Sequence, residues 1–230
     1  MNSTTPVVFV VDDDEHVRNA LSRLLRSGGY AVQAYGTAGD FLNDADLTSA
    51  PACVLLDLQL PDLSGIELQR RLHGIVPIVF VSAHGDMQTA VDAMKAGAAD
   101  FLTKPIDAGV LFEATTRAIE HAHRLFEQRE QRTELQHRLE TLTPREREVM
   151  ALVVAGRPNK LVADELGAAE KTIKIHRARV MEKMKVRSLA ELVRLTTSTG
   201  IDAPVLLSTQ SSRPRPSVQP AGREAAPHTG

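Results

Sequence analysis

Val7-Val8-Phe9-Val10-Val11-Asp12-Asp13-Asp14 sets five consecutive apolar residues directly before three carboxylates, and that join decides the fold. A short, Val-rich apolar run of this kind is the pattern of a strand buried on both faces. Three further runs end in the same abrupt way. Cys53 to Leu56 stops at Asp57, Ile78 to Val81 stops at Ser82, and Phe101-Leu102 runs out just before Lys104-Pro105. Helix-like stretches separate them, so this half reads as an alternating β/α domain with a parallel sheet. In such open sheets ligands gather at the carboxyl ends of the strands near a topological switch point, which assigns Asp12, Asp13, Asp57, Ser82 and Lys104 to one site.

Three carboxylates converging from two strands repel one another by roughly 4 kcal/mol per pair at 4 Å and an effective dielectric near 20, so the cluster calls for a cation. All-oxygen ligation points to Mg²⁺, which keeps several waters and takes one or two carboxylates plus a phosphate. Asp57 is then the natural nucleophile, since a carboxylate can carry a covalent phosphoryl group. Lys104 supplies a cation to the phosphoryl oxygens and Ser82 a hydroxyl donor. An X-Pro bond is where a cis peptide is cheap, and one at Lys104-Pro105 would aim the lysine inward. Asp14 reads as the cap of a helix that begins near Glu15, carries Val17, Leu21, Leu24 and Leu25 at helical spacing and stops at Gly28-Gly29. His84 reads as a solvated loop residue. Cys53 reads as strand core, because a single thiol forms no intramolecular disulfide and matches no metal pattern.

The motifs Val10-Val11-Asp12-Asp13-Asp14, Leu55-Leu56-Asp57-Leu58-Gln59-Leu60-Pro61 with Gly65, and Ala93-Met94-Lys95-Ala96-Gly97-Ala98 leading to Asp100-Phe101-Leu102-Thr103-Lys104-Pro105 cover residues 6 to 120. This stretch resembles the receiver domain of two-component response regulators, a flavodoxin-like (βα)5 fold with a parallel five-stranded sheet. The resemblance implies that Asp12 and Asp13 hold Mg²⁺ with Asp57 and the main-chain carbonyl of Gln59. It also implies that Asp57 receives phosphate from a sensor histidine kinase, and that Ser82 and Phe101 form a switch pair. Leu60 stands where the family often has Met.

At 230 residues with 43% apolar and 24% charged content, the chain can bury ordinary cores and is about one large or two small domains long. No apolar stretch approaches the ~20 residues that span a bilayer, and the N-terminus lacks a signal-peptide layout, so a soluble, cytoplasmic protein without a membrane partner is expected. The net charge of −2 conceals a split. Residues 1 to 120 hold 8 Lys/Arg against 16 Asp/Glu, whereas residues 142 to 199 hold 12 against 7. An acidic half joined to a basic half suggests two partners, with the basic half the one for nucleic acid.

From Ala108 a long helix is expected through Ile119, Ala122 and Phe126. Glu127 to Glu134 contains no apolar residue, which argues against a full coiled coil and leaves a polar helical linker over residues 121 to 141. Thr143-Pro144-Arg145-Glu146 is a capping box with Pro at the first helical position. The helix it opens buries Val149, Leu152 and Val153 and stops at Gly156. A short helix, Asn159 to Leu166, is closed by Gly167, and a longer one runs from Glu170 to Met184. Ser188-Leu189-Ala190-Glu191 makes a second capping box before a final helix. Residues 200 to 230, rich in Pro, Ser, Thr, Gln and Ala, read as disordered.

Four compact helices over residues 142 to 199, the second and third joined by a tight Gly-containing turn, describe an all-α helix-turn-helix domain. On the third helix Ile173, His176, Val180 and Met184 form the buried stripe, while Lys171, Lys174, Arg177, Arg179 and Lys183 spread over the other faces, as suits a helix lying in the DNA major groove. Leu142-Thr143-Pro144-Arg145-Glu146-Arg147-Glu148-Val149, Asn159-Lys160, and Thr172-Ile173-Lys174-Ile175-His176 through Met184 resemble the LuxR-type DNA-binding domain. Joined to a receiver, this is the plan of the NarL and FixJ regulators. The resemblance implies that Lys174, Ile175 and Ala178 face base edges, and that Lys160, Thr172, Arg177, Arg179 and Lys183 meet phosphates. Ala168-Ala169 depart from the family by offering no side-chain cap to the recognition helix.

The resulting expectation is a DNA-binding transcriptional response regulator switched by Mg²⁺-dependent phosphorylation of Asp57. It dimerises on phosphorylation through the helix after Asp86 and the strand at Phe101, and its final helix pairs the DNA-binding domains. It reads paired half-sites in promoter DNA and has RNA polymerase as a further possible partner. Two rivals stand beside it. An aspartyl-phosphate enzyme of the dehalogenase-like type would carry a second Asp two residues after the nucleophile, where this chain has Gln59, so slow self-phosphorylation and dephosphorylation is the only catalysis expected. A phosphorylation-responsive protein-interaction adaptor would keep the helix-turn-helix but not read DNA.

Overall fold

The computed structural model describes residues 5–83 and 87–198. His84, Asp86 and the tail from Gly200 onward lie outside the described residues. The chain forms two compact units that divide between Thr133 and Glu134.

The first unit is a parallel five-stranded sheet of order β2-β1-β3-β4-β5, built from β1 (Val7–Val11), β2 (Ala31–Tyr35), β3 (Ala52–Leu56), β4 (Ile78–Ser82) and β5 (Asp100–Thr103). Helices α1 (Glu15–Ser27), α2 (Ala38–Asp44), α3 (Gly65–Leu72), α4 (Met87–Lys95) and α5 (Ala108–Glu140) connect and flank the strands. Side chains alternate between two cores, as the two-residue period of a strand requires. Phe9, Val11, Val54, Leu56, Ile78 and Phe80 join Phe41 of α2, Leu68 and Leu72 of α3 and Ala93 of α4. Val8, Val10, Cys53, Leu55, Val79, Val81 and Leu102 join Leu21 and Leu25 of α1 and Leu111, Ala114, Ala118 and Ile119 of α5. Cys53 is fully buried, and burial pushes its thiol up to about 12, so it is an inert core group.

β1, β3 and β4 are covered on both faces and read as unbroken apolar runs. β2 is an edge strand, largely exposed and carrying Gln33, which is why it has no such run. Asp14 caps α1 as expected, its Oδ1 accepting the His16 amide at 2.8 Å and the Val17 amide at 3.4 Å. Gly29, at φ 89°, supplies the left-handed turn that ends it.

α5 is continuous for 33 residues and runs through the polar stretch expected as linker. Glu, Gln and Arg are good helix formers, so the absence of apolar residues there does not interrupt it. Arg129 also secures the helix to the first unit, donating to the carbonyls of Leu47 at 2.8 Å and Ile75 at 2.6 Å.

The second unit contains α6 (Pro144–Val154), α7 (Asn159–Glu165), α8 (Glu170–Lys183) and α9 (Leu189–Ser198). Its core joins Leu135, Leu142, Met150, Val180, Met184 and Leu192, with a second cluster of Val149, Val153, Val162 and Ile173. The Thr143 capping box forms in full: Thr143 Oγ1 accepts the Glu146 amide and Glu146 Oε2 accepts the Thr143 amide. The second box forms only in part. Ser188 Oγ accepts the Glu191 amide at 3.2 Å, but the Glu191 carboxylate reaches past Ser188 to the Arg187 amide at 2.8 Å. α8 starts at Ala169 with no side-chain cap. Among the described residues no helix is long and apolar enough to cross a membrane.

Candidate phosphoacceptor pocket and nucleic-acid interface

Register builds the first site. Val11 aligns with Leu56 across the β1–β3 pair and Ser82 with Thr103 across the β4–β5 pair, so the residues that follow emerge together at the carboxyl edge. The Asp57 amide donates to Val11 O at 2.8 Å and the Lys104 amide to Ser82 O at 2.9 Å, holding the strand ends in line. Asp12, Asp13 and Asp57 each bring a carboxylate oxygen within 4.8 Å of the others. Asp12 and Asp57 are buried and Asp13 is exposed, which leaves the cluster open on one side.

The Lys104 Nζ lies 2.6 Å from Asp12 Oδ2 and 2.7 Å from Asp57 Oδ2. The Lys104-Pro105 bond is cis. Burial raises the Asp12 carboxyl above its ordinary value, with the Asp57 charge adding to it and the bond from Lys104 opposing. Burial pulls Lys104 the other way, and its bonds to Asp12 and Asp57 outweigh that, holding the ammonium above its ordinary value. A cation thus already offsets the carboxylate repulsion. Oxygen donors from three carboxylates, one of them open to solvent, suit a hard divalent ion that keeps part of its water shell.

Gln59 donates its amide to Asp57 Oδ1 at 3.0 Å, which brings its main chain to the pocket. Ser82 is buried at the end of β4 beside the Lys104 backbone. Phe101 is half-buried on β5, its ring 6.1 Å from that of Phe80. Gly65 is needed here: a Cβ would lie 2.3 Å from the Asp57 carbonyl oxygen.

Two residues absent from the sequence reading frame this pocket. Arg18 donates through Nη1 to the carbonyls of Asp12 at 2.7 Å and Asp13 at 2.9 Å, fixing the main chain that carries both carboxylates. Asp62 accepts the amides of Ala38 at 3.1 Å and Gly39 at 2.7 Å. Desolvation works against the Asp62 charge, and these bonds overcome it, holding the carboxyl below its ordinary range. Helical spacing makes Arg18 legible in principle, but Asp62 acts across more than twenty residues of sequence and carries no local signal.

On the second unit, Lys160, Lys171, Thr172, Lys174, Ile175, Ala178 and Arg179 are exposed. Ile175 is 47% exposed on an otherwise polar helix face. Lys174 pairs with Glu170 at 3.0 Å, a solvent-exposed contact that DNA can displace at little cost. Arg177 is half-buried and donates to Asn159 Oδ1 at 3.1 Å, bridging α8 to α7. Lys183, expected at a phosphate, is bonded inward, with its Nζ 2.6 Å from buried Glu146 Oε2 and 2.9 Å from Thr141 O. Burial works against the Glu146 charge, and the bonds from Lys183 and the Thr143 amide overcome it, so the carboxyl stays below its ordinary value.

A family model of the response regulator receiver domain matches residues 8–116, and one of the bacterial regulatory proteins of the luxR family matches residues 140–196. The chain is 45% identical over 206 residues to nodulation protein W of Bradyrhizobium diazoefficiens, covering 87% of this chain and 89% of that protein. It is 41% identical over 201 residues to the transcriptional regulatory protein FixJ of Rhizobium meliloti, covering 86% and 98%. It is also 41% identical over 199 residues to the response regulator protein TodT of Pseudomonas putida, covering 85% and 87%. A solved structure of the response regulator StyR matches with a TM-score of 0.71 at 43% identity, over 84% of this chain and 99% of that one. The chain therefore belongs to the two-component response regulators of the NarL and FixJ type, a receiver domain joined to a LuxR-type domain, and is a DNA-binding regulator of transcription rather than an adaptor that does not read DNA.

Proposed function

We propose that transfer of a phosphoryl group from a sensor histidine kinase to Asp57, dependent on Mg²⁺, switches the affinity of this regulator for promoter DNA. The observation that carries the reading is the meeting of Asp12, Asp13, Asp57 and Lys104 at the carboxyl edge of the sheet. Asp12, Asp13, Asp57 and the main-chain carbonyl of Gln59 would hold the ion. When bound, Mg²⁺ neutralises charge on the phosphoryl oxygens. An Asp57 oxygen forms the new bond to phosphorus as the bond to the kinase imidazole breaks, and that nitrogen keeps the electron pair.

Lys104 is positioned to exchange its bond to Asp57 for one to a phosphoryl oxygen, and the Ser82 hydroxyl donates to another. Phe101 turns inward as Ser82 moves, which couples the pocket to β5. Slow self-phosphorylation and dephosphorylation at Asp57 is the chemistry left to the protein alone. An apolar groove of about 520 Å³, lined by Val17, Ala20, Leu21, Leu24, Pro105 and Ile106, reaches Lys104 and gives a phosphodonor domain a surface beside the pocket.

Residues 6–120 form the receiver, 121–141 the helical linker and 142–199 the DNA-binding domain. Met87, Val91 and Met94, exposed along α4, support dimerisation through α4 and β5 on phosphorylation. Pairing of α9 would then set two half-sites roughly one DNA turn apart. Lys174, Ile175 and Ala178 face base edges, while Lys160, Lys171, Thr172, Arg177 and Arg179 meet phosphates. Lys183 we assign to the fold of the domain, because its ammonium is bonded to Glu146. RNA polymerase is a further partner, and the site of action is the cytoplasm.

Intact-mass spectrometry after incubation with acetyl phosphate and Mg²⁺ tests the pocket. A single phosphoryl adduct is expected on the native protein and none on Asp57→Ala. Equal labelling of the two would overturn the assignment.

A further inference from the structure

Asp62 is exposed and belongs to none of the motifs that mark the pocket, yet its two oxygens reach the amides of Ala38 at 3.1 Å and Gly39 at 2.7 Å. These are the first two residues of α2, whose opening amides have no acceptor within the helix. Thr37 satisfies the next two, its Oγ1 accepting the Asp40 amide at 3.0 Å and its carbonyl the Phe41 amide at 3.3 Å. Two of the three side-chain bonds to the opening amides of α2 therefore come from the loop that carries the phosphoacceptor. Gly39 permits this approach, since a Cβ there would lie 3.2 Å from Asp62 Oδ2.

The same bonds act on the loop. Segment 57–65 is braced internally by the Gln59 amide on Asp57 Oδ1 at 3.0 Å and by the Gly65 amide on Leu58 O at 2.9 Å. The Asp57 amide, on Val11 O at 2.8 Å, ties the near end of this segment directly to the strand that leads to Asp12 and Asp13. The Asp62 bonds tie the far end to the same strand by a second route, because α2 follows β2, and β2 pairs with β1 up to the Val11–Tyr35 register, so Gln59 is held between two attachments. Pro61 has a fixed φ and restricts Leu60 before it, so little slack separates Gln59 from Asp62.

We propose that Asp62 is a positioning residue for the metal site. By tying the phosphoacceptor loop to the start of α2, it sets the Gln59 carbonyl at the cation held by Asp12, Asp13 and Asp57. The inference rests on the Mg²⁺ reading above.

Calorimetric titration of the full chain with Mg²⁺, paired with melting in EDTA, tests it on the native protein, Asp62→Ala, Asp62→Asn and Thr37→Ala. Asp62→Ala is expected to weaken Mg²⁺ binding about tenfold, the scale of losses when an outer partner of a metal ligand is removed. Asp62→Asn keeps one acceptor oxygen and falls between; if Asp62→Ala does not fold, this variant carries the comparison. Thr37→Ala removes the other side-chain cap of α2 without touching the loop, so it lowers the melting temperature and leaves Mg²⁺ affinity as it was. In acetyl phosphate labelling, the Mg²⁺ concentration for half-maximal rate should rise in Asp62→Ala while the rate at saturating Mg²⁺ stays near native. Native Mg²⁺ affinity in both Asp62 variants overturns the proposal. Equal weakening in Thr37→Ala also overturns it, by tracing the effect to the stability of α2. Absence of Mg²⁺ binding by the native protein is a separate result, and would overturn the metal reading itself.

Discussion

Lys183 and Lys171 belong to one helix but answer to different partners. Lys171 is exposed, whereas Lys183 is bonded to Glu146, whose side chain is 3% exposed, and to Thr141 O. Removing one partner of a buried pair leaves an uncompensated charge, so Lys183→Ala should cost about 2 kcal/mol of stability, below the full buried-pair figure because the lysine is partly solvated. The sign of its pH dependence follows from Glu146. A carboxyl held below its ordinary 4.5 contributes stability that is present above that value and lost as pH falls through the lowered one. The variant should lose the share of that acid-labile stability that Lys183 supplies and keep the share from the Thr143 cap. Lys171→Ala should instead leave stability unchanged and reduce the salt slope of duplex binding by about one, a change absent in Lys183→Ala. Denaturant melts and binding titrations over a salt series check both. The basic face of α8 was legible in the sequence because helical spacing displays it. The inward turn of Lys183 was not, because Glu146 lies on another helix.

Helix ends show what short-range pattern can and cannot specify. The Thr143 box was readable, since both partners lie within one turn. At Ser188 the same pattern gives a different bond, the Glu191 carboxylate capping Arg187 instead, because a side chain that long can reach either amide. β1, β3 and β4 were readable as buried strands, while β2, exposed at the sheet edge, had no apolar run to reveal it. α8, like α7, has no side-chain cap, and its N-cap residue Ala169 offers no acceptor to the first amides. Ala169→Ser should therefore stabilise the second unit by about 0.5 to 1 kcal/mol, read from the denaturant midpoint at constant slope. An unchanged midpoint would mean that those amides are already satisfied by water.

At the scale of the whole molecule, charge and chemistry separate along the chain. The acidic first half supplies the carboxylate pocket, and the basic second half supplies the exposed face of α8. α5 continues past the sheet for several turns, and Arg129 fixes that extension by bonds to two loop carbonyls. α4 exposes Met87, Val91 and Met94, and on the function proposed above this face would recruit a second copy. If the carboxylate pocket holds the switch, its occupancy changes the assembly. Sedimentation velocity of the 230-residue chain with and without Mg²⁺ and beryllofluoride, a mimic of the acyl phosphate, reads this out, with Asp57→Ala as the control. A shift from monomer to dimer is expected in the native protein alone. No shift in the native protein, or the same shift in Asp57→Ala, would contradict it.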